Sequence, residues 1–374
     1  MRIAFYTETF YPKIDGIVTR IARTVEQLAE LGHDVIIFAP QRGITEFCGF
    51  EVVRIPAVPF PPEPEIGVGV LHPDIFTKLR QFRPDIVHLS LPTFVGPMGL
   101  ISAKLLGAPI VCSYHTNFRM YAIRHGIERI WPIFRAYFRM LYRQGEFTLV
   151  TSEPMIEEAR AVGMDDVRLW PKAVETDRFH PKNQDDEIRQ LLSDGEPEKP
   201  LLISAGRLVK DKRLDWLLGP AQEISNIRIA ILGEGPEREN LEAMFAGTPT
   251  IFPGFLSGEK LCQAYASADA FLFPSDTETL GFVAMESMAS GTPVVGARAG
   301  GIPTVIDHEK NGFLFDPNSR EDFLTQTRRL IADSDLRNQL GKQARVDMEA
   351  CSWRAATEQL VEFYKDALEG RKSS

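Results

Sequence analysis

The sequence is short of cysteine and has no long apolar run, and each shortage excludes a class of protein. The four cysteines among 374 residues lie far apart and form no Cys-x-x-Cys pair, so neither a zinc site nor a disulfide framework is indicated. No apolar stretch approaches the roughly 20 residues that span a bilayer. The stretch MRIAFYTETF is too short and too polar for a signal peptide. We therefore expect a cytoplasmic protein, where thiols stay reduced.

The chain also has no excess of basic residues and lacks the glycine motif of dinucleotide-binding domains. The net charge is −9, which argues against general nucleic-acid binding, although a local basic face remains compatible with it. No Gly-x-Gly-x-x-Gly motif follows a predicted strand, which disfavours an enzyme that transfers hydride from a dinucleotide. Hydrophobic residues at 44% and charged residues at 25% are ordinary for a globular protein.

Two series of strand-like and helix-like segments follow one another along the chain. Such alternation predicts an α/β fold with parallel sheets and crossover helices. The charged segment 181–200 separates the series, so we predict two doubly wound, Rossmann-like domains at 1–172 and 200–352, with a linker at 173–199. The proline-rich segment 59–69 is predicted to be a loop. Ligands of such sheets bind outside the carboxyl ends of the strands, where most of the candidate residues lie.

A basic loop, GRLVKDKR at 206–213, follows the first strand of the second series. Arg207 and Lys212 could stabilise a departing diphosphate without a metal, because a guanidinium grips phosphate oxygens in pairs and an ammonium adds a point charge. A solvated basic loop is the equally balanced alternative. The turn GEGPERE at 233–239 could approach a nucleotide closely, but alone it favours an ordinary tight turn.

The stretch SDTETLGFVAMESMASG at 275–291 contains two glutamates with seven residues between them. Glu278 follows a predicted strand, and the helix that starts after Gly281 offers amides to an anion. Glu286 lies among Met285 and Met288, where a carboxylate is costly unless it is hydrogen-bonded. A sugar diol could supply such bonds. The alternative is an acid at a helix start followed by a solvated glutamate.

Several ordered motifs carry a resemblance that covers nearly the whole chain. They are GRLVKDK, GEGP, FPGFL, PSDTETLGFVAMESMASGTPVV and AGGIPTVI, with ETFYPKIDG and SYHTNF in the first half. Together they resemble the retaining glycosyltransferases of family 4, which have the GT-B fold with a donor cleft between two domains. Glu-x7-Glu is that family's signature. The family's last helix returns to the N-terminal domain, which implies that about 353–374 packs there.

The resemblance implies a role for each matching position. Arg207 and Lys212 match the diphosphate clamp, Glu278 lies by the donor sugar, and Glu286 binds the ribose hydroxyls. Many members have paired glycines before the first helix. Here Asp15 precedes the glycine that meets the donor phosphate, which leaves its side chain for an acceptor or donor contact. The catalytic candidates are His115, Arg207, Lys212 and Glu278, and the donor-binding candidates are Asp15, Gly16, Gly206, Gly235, Phe255, Leu256, Thr279, Leu280, Gly281 and Glu286.

The segment 119–143 combines six arginines with one acid and interleaved aromatic residues. An amphipathic helix that is aromatic and basic is typical of membrane-surface elements. The alternative is a helix whose aromatic residues pack in the core while its arginines are solvated. The residues expected to meet an acceptor or a membrane are Arg119, Tyr121, Arg135, Arg139 and Arg143.

The sequence thus predicts a retaining hexosyltransferase that uses GDP-mannose or a UDP-hexose. It resembles two subgroups in particular, the sulfoquinovosyltransferases and the GDP-mannose-dependent α-mannosyltransferases, and both imply a lipid-linked or glycan acceptor and a peripheral place on the inner face of the plasma membrane. We expect no cofactor and no essential metal. Two alternatives stay open: a sugar-nucleotide epimerase or hydrolase on the same fold, and a non-catalytic nucleotide-sugar-binding protein.

Overall fold

The structure, a computed structural model, describes residues 1–13, 15–40, 43–60, 63–70, 72–124, 126 and 128–372, with the side chains of 59–60, 63–66, 121, 124 and 371–372 left outside that description. The chain divides into two compact units. The first comprises Met1–Pro171 and Trp353–Ser374, and the second comprises Lys172–Ser352. No described helix is both long enough and apolar enough to cross a membrane.

The first unit alternates strands and helices as the sequence predicts. Its elements are β1 (Arg2–Thr7), α1 (Gly16–Glu30), β2 (Asp34–Pro40), β3 (Glu46–Phe47), β4 (Phe50–Ile55), β5 (Ala57–Phe60), β6 (Glu63–Gly69), α2 (Pro73–Phe82), β7 (Ile86–Ser90), α3 (Gly96–Leu106), β8 (Ile110–Tyr114), α4 (Phe118–Arg124), α5 (Trp131–Tyr142), β9 (Phe147–Val150), α6 (Glu153–Val162), β10 (Val167–Leu169) and, after the second unit, the last helix (Trp353–Lys372).

Eight strands form the sheet of the first unit in the order β10-β9-β8-β7-β1-β2-β4-β3. All neighbours are parallel except the short pair β3 and β4. Because β1 lies between β2 and β7, the chain reverses its direction of travel across the sheet there, which makes the gap between β1 and β7 the topological switch point. One face is covered by α1 and the last helix, through residues such as Ile21, Leu360 and Tyr364.

The second unit contains α7 (Asp186–Leu192), β11 (Leu201–Ala205), α8 (Leu218–Glu223), β12 (Arg228–Leu232), α9 (Arg238–Met244), β13 (Thr250–Gly254), α10 (Gly258–Ser267), β14 (Ala270–Phe273), α11 (Phe282–Ala289), β15 (Val294–Ala297), β16 (Gly312–Phe315), α12 (Arg320–Ala332) and α13 (Ser334–Glu349), so that the last helix is α14. Its six strands are parallel in the order β13-β12-β11-β14-β15-β16. That order is typical of doubly wound sheets, and its switch point lies between β11 and β14.

The apolar pattern of the sequence explains the local structure. Helix α1 buries Val18, Ile21, Val25 and Leu28, spaced three or four apart, and the chain leaves it through Gly32 at φ 75°. The central strands are buried on both faces, as near-continuous apolar runs require. The parallel α/β architecture is therefore confirmed.

Two segments differ from expectation. Residues 57–60 and 63–69 form an antiparallel two-stranded sheet, so the loop predicted at 59–69 is wrong. This pair stands outside both large sheets. Its prolines, which have no N–H to donate, therefore remove no hydrogen bond from either large sheet. Residues 173–199, expected to be a linker, belong to the second unit: they include α7 and bury Phe179, Ile188 and Leu192 in its core. Most of the charged residues that suggested a linker are exposed, but Arg189 is part-buried and pairs with Asp269 at 2.9 Å.

Candidate functional site

The switch point of the second unit brings two predicted loops together. Strands β11 and β14 are neighbours, with Leu202 opposite Ala270 and Ile203 opposite Phe271. Because both strands run the same way, the loop that starts at Gly206 and the loop that contains Glu278 leave the same edge of the sheet. The two motifs, which are far apart in the sequence, therefore lie at the same edge of the second sheet.

An ion pair joins these two loops. Lys212 lies at the end of a short 3₁₀ turn, Lys210–Lys212, and its Nζ donates to Oε1 of Glu278. Both side chains are part-buried, and Arg207 at the start of the same loop is exposed. The geometry thus places Lys212, held by a carboxylate, and the exposed Arg207 in one loop at this edge of the sheet.

A second ion pair, which the sequence reasoning missed, braces the same loops. Nη1 of Arg213 donates to Oδ2 of Asp276 at 2.7 Å, and the guanidinium stacks 3.9 Å from the ring centroid of Trp216. Arg213 adopts a left-handed φ of 52°, which turns the chain into the next helix. The available signal was the position of Asp276 in the loop that follows the strand, two residues before Glu278.

Helix α11 starts at the edge of this site after a glycine. Gly281 is its N-cap residue at φ 92° and has no side chain with which to cap the helix. The neighbouring loop adds a support that the sequence reasoning missed: the N–H of Gly301 donates to the carbonyl of Glu278 at 2.7 Å, and a Cβ on Gly301 would lie 2.2 Å from the carbonyl oxygen of Thr279. Glycine is required there because two backbones touch.

The second carboxylate of the signature is hydrogen-bonded. Oε2 of Glu286 accepts from the hydroxyl of Tyr265 at 3.1 Å, while Met285 and Met288 on either side are fully buried. Glu286 itself is half-buried. Burial, reinforced by the carboxylate, raises the pKa of Tyr265 well above its usual value, so the phenol stays a donor. The sequence argument that this acid needs a hydrogen-bond donor is confirmed.

The remaining donor-binding candidates of the second unit surround these loops. A Cβ on Gly235 would lie 2.3 Å from the carbonyl oxygen of Leu208, so this glycine permits the contact between two loops, which differs from the direct nucleotide approach that we expected. Phe255 is 59% exposed just after β13, and Leu256 packs partly against the core. Thr279 is half-buried and Leu280 is buried.

Asp15, in the first unit, has structural partners, so its side chain is not left free as expected, and a contact with acceptor or donor stays a prediction. Its Oδ1 accepts from the N–H groups of Ile17 at 3.0 Å and Val18 at 2.9 Å, which makes Asp15 the N-cap of α1. Its other oxygen lies 3.6 Å from Nζ of Lys13. Gly16 is the exposed first residue of the helix.

His115 lies just beyond β8 and ends a buried chain of polar side chains. Its Nε2 is 2.8 Å from Oγ of Ser113, which is 2.9 Å from Nε2 of His88, whose Nδ1 is 2.6 Å from the hydroxyl of Tyr364 on α14. Burial, with a further contribution from Arg20, lowers the pKa of His115 to about 3. The imidazole is therefore neutral at physiological pH.

The switch point of the first unit is occupied by a carboxylate of the chain itself. Glu8 follows β1, is buried, and accepts hydrogen bonds of 2.9 to 3.1 Å from the backbone N–H groups of residues 93–96 at the start of α3. Burial raises the pKa of Glu8, and these four N–H groups oppose the shift. The sequence reasoning did not single out this residue.

The arginines predicted on α5 line a shallow groove of about 600 Å³. Arg135, Arg139 and Arg143 are exposed on one face of the helix, and Arg143 pairs with Asp165 at 2.9 Å. The aromatic residues do not follow the membrane-surface pattern throughout, because Phe138 and Tyr142 are buried. The exposed apolar surface comes mainly from Ile133 at 71% and Met140 at 56%.

Two residues of the acceptor prediction remain. Arg119 on α4 is exposed and opposes the raised pKa of the half-buried Glu158. The side chain of Tyr121 lies outside the described residues. Among the side chains that the structure describes, no group of three or more His, Cys, Asp or Glu residues could hold a metal ion, and the expectation that no metal is essential stays a prediction.

Family comparisons agree with this arrangement. Residues 14–178 match the family described as Glycosyltransferase Family 4, and residues 183–347 match Glycosyl transferases group 1. The chain is 39% identical to the sulfoquinovosyl transferase SQD2 of Arabidopsis thaliana over 369 residues, which covers 95% of this chain and 72% of that protein. It is 31% identical over 373 residues to a GDP-mannose-dependent alpha-mannosyltransferase of Corynebacterium glutamicum, covering 98% and 89% of the two chains.

Solved structures show the same architecture. Sucrose-phosphate synthase from Thermosynechococcus elongatus matches with a TM-score of 0.78 at 19% sequence identity, and the match covers 99% of each chain. Anabaena HepE in complex with UDP and glucose also matches with a TM-score of 0.78, at 16% identity over 97% of this chain and 99% of the other. At these identities the likeness concerns the fold.

Proposed function

The chain belongs to glycosyltransferase family 4 and has the GT-B fold, and from this premise we propose that it transfers a hexose from a nucleoside diphosphate sugar to a hydroxyl of a lipid-linked acceptor with retention of configuration. The observation that carries the proposal is the edge of the second sheet, where Arg207, the Lys212–Glu278 pair and the start of α11 lie together.

The diphosphate is the part of the donor that this edge suits best. When the bond between the sugar and the diphosphate breaks, negative charge builds up on the phosphate oxygens. Arg207 and Lys212 supply positive charge there, and the helix start adds N–H dipoles. Glu278 holds the ammonium of Lys212 until an anion competes for it.

The other donor contacts follow from the same residues. Glu286, already bonded to Tyr265, has acceptor capacity for the hydroxyls of a ribose. Phe255 offers an exposed aromatic face near the end of β13 that suits a base. We propose, from the family resemblance, that His115 and Gly16 meet the donor sugar and its phosphate.

Retention follows if the acceptor hydroxyl attacks the anomeric carbon from the face that the diphosphate leaves. In that step the new glycosidic bond forms, the bond to the diphosphate breaks, and the proton of the acceptor passes to a departing phosphate oxygen. The cation pair would stabilise the leaving group throughout this exchange. No protein nucleophile takes part in it.

A lipid-linked acceptor is supported by the groove on α5. Its cations lie beside the exposed Met140, and Ile133 is exposed elsewhere on the same helix, so α5 combines charge with apolar surface, which suits the boundary of an anionic membrane. Each basic residue near such a surface contributes roughly 1 kcal/mol to binding. A protein working on such an acceptor would bind the membrane peripherally.

A donor panel tests the proposal. The purified chain is heated with GDP, UDP or ADP and with the corresponding sugar nucleotides; the cognate nucleotide at about one hundred times its dissociation constant should stabilise the fold by roughly 3 kcal/mol. GDP-mannose is our first candidate. A stabilisation by GDP without one by UDP would exclude a UDP-linked sulfoquinovosyl donor.

Product analysis with a lipid extract completes the test. The expected product is a glycolipid whose new linkage keeps the anomeric configuration of the donor, as measured by proton NMR. A product of opposite configuration would contradict retention. Release of free sugar or an epimer without consumption of the acceptor would instead support a hydrolase or an epimerase.

A further inference from the structure

A continuous file of polar side chains runs through the core of the first unit and stops at His115. It starts at the hydroxyl of Tyr364 on α14, passes through both ring nitrogens of His88 on β7, continues through the hydroxyl of Ser113 on β8, and reaches Nε2 of His115. The first three side chains are 0% exposed. Groups so deeply buried must satisfy their hydrogen bonds within the protein.

The last nitrogen of the file is Nδ1 of His115. Among the described residues it has no hydrogen-bond partner. His115 is 7% exposed, so the residue keeps some accessible surface at this end of the file. Any group that bonds His115 from outside must use Nδ1.

Both histidines are neutral. Burial lowers the pKa of His88 well below its usual value, with smaller contributions from His115 and Arg20. Arg20, itself buried, stacks 4.1 Å from the ring centroid of Trp170, which in turn lies 6.0 Å from the ring of His115. A fixed positive charge at that place disfavours a second cation nearby.

When both imidazoles are neutral, the hydrogen bonds along the file can all donate toward His115 or all donate toward Tyr364. In one direction, Tyr364 donates to Nδ1 of His88, Nε2–H of His88 donates to Ser113, and Ser113 donates to Nε2 of His115. Every hydroxyl and N–H between Tyr364 and Nε2 of His115 then has an acceptor, and only Nδ1–H of His115, at the end of the file, is left for a ligand. In the reverse direction, Tyr364 accepts from His88, and its own O–H points at none of the described residues.

The reverse direction leaves a buried donor unpaired, and an unpaired buried donor is costly. Tyr364 therefore sets the direction of the whole file. Since Nε2 of His115 accepts in that direction, the single proton of its neutral ring is on Nδ1.

We propose that Tyr364, His88 and Ser113 are positioning residues that hold His115 as a neutral imidazole protonated on Nδ1, so that it donates a hydrogen bond to its ligand and does not accept a proton. The inference deepens the proposed function and rests on it only for the effect on turnover. The ligand group that fits is a sugar hydroxyl or a phosphate oxygen, each of which can accept from Nδ1–H.

The tautomer is measured directly on the full chain. Histidine is labelled with ¹⁵N, two-bond proton–nitrogen correlation spectra identify the protonated nitrogen of each ring, and His115→Gln assigns the signal. We expect Nδ1 to carry the proton in the wild type. In Tyr364→Phe the form protonated on Nε2 should appear as well, because nothing then fixes the direction of the file.

A second buried tyrosine provides the matched control. The hydroxyl of Tyr142 donates to the backbone carbonyl of Ser113 at 3.3 Å and is outside the file, so Tyr142→Phe should leave the tautomer of His115 unchanged. Ser113→Ala breaks the file beside His115 with a smaller side chain, and it serves if Tyr364→Phe does not fold. A wild-type ring protonated on Nε2, or an unchanged spectrum in both file variants, would overturn the proposal.

The effect on catalysis is read separately. Loss of one neutral hydrogen bond to the ligand should lower kcat of Tyr364→Phe by about threefold to tenfold with little change in KM for the donor. The spectra require no substrate, so a chain without transferase activity would refute the proposed function while leaving the tautomer assignment standing. Normal kcat with the mixed tautomer would show that His115 does not donate to the reacting ligand.

Discussion

The two units have the same strand order around their switch points, and they occupy those points in opposite ways. In the first unit the carboxylate of Glu8 accepts hydrogen bonds from the N–H groups at the start of α3. In the second unit the N-cap of α11 is Gly281, which has no side chain, and Arg207 and Lys212 belong to the loop at the same sheet edge. One fold thus gives a helix start closed by its own anion and another arranged for an anion from outside.

The two units also differ in where they place positively charged side chains. The second unit has its cations at the strand ends, in contact with carboxylates that hold them in place. The first unit exposes its arginines along the outer face of α5. If the proposed function is right, positive charge serves a defined ligand in the second unit and an extended surface in the first.

The comparison is tested most strongly at Arg207. Replacing Arg207 with alanine removes the exposed cation at the donor edge, and we expect kcat to fall by about 10² to 10³, as for other groups that stabilise charge in a transition state. Steady-state kinetics with the donor identified by the nucleotide panel measures the effect.

Lys210 provides the matched control because it is an exposed cation in the same loop. Lys210→Ala should keep kcat within about twofold, since an exposed charge outside the clamp contributes little. Near-normal turnover in Arg207→Ala would refute the clamp assignment and remove the main contrast between the two switch points.

The next largest effect is expected at Glu8. Glu8→Gln keeps one acceptor oxygen, but it removes the carboxylate and turns an NH₂ group toward the N–H of Val95, which donates to Oε2 in the wild type, so we expect the first unit to lose about 2 kcal/mol of stability. The local measurement is hydrogen exchange of the peptide that contains residues 93–96, whose amides should lose protection. Urea denaturation reports the global change.

Glu51→Gln is the control, since Glu51 is an exposed partner of Lys78 in the same unit and should contribute less than about 1 kcal/mol. Unchanged protection of residues 93–96 in Glu8→Gln would mean that the N–H groups at the start of α3 do not depend on this carboxylate. The idea of a switch point closed by its own anion would then be wrong.

The sequence predicted the second unit better than the first for a physical reason. Arg207, Lys212, Glu278 and Glu286 belong to short motifs at the ends of predicted strands, and parallel strands necessarily bring such ends together. The carboxylate of Glu286 could be inferred to be hydrogen-bonded because its neighbours are apolar, which needs no knowledge of the fold.

The first unit depends on contacts between residues far apart in the chain. Glu8 meets residues 93–96, and Tyr364 on the last helix meets His88. Periodicity reveals which face of a helix is buried, but it does not say which polar group across the core will be the partner. For the same reason Asp15, read from sequence as available to a ligand, proved to be a helix cap.

The smallest expected effect concerns the outer surface of α5. Arg135 is exposed and lines the groove with Arg139 and Met140, so Arg135→Ala should weaken binding to vesicles rich in anionic lipid by about fivefold, the equivalent of roughly 1 kcal/mol. Co-sedimentation at low and at high salt measures it, and screening by salt should reduce the difference between the variant and the wild type. Lys342→Ala removes an exposed cation from the second unit and should leave binding unchanged. Equal losses in both variants would show that net charge alone drives association, and the distinction between an extended cationic surface in one unit and a confined clamp in the other would disappear.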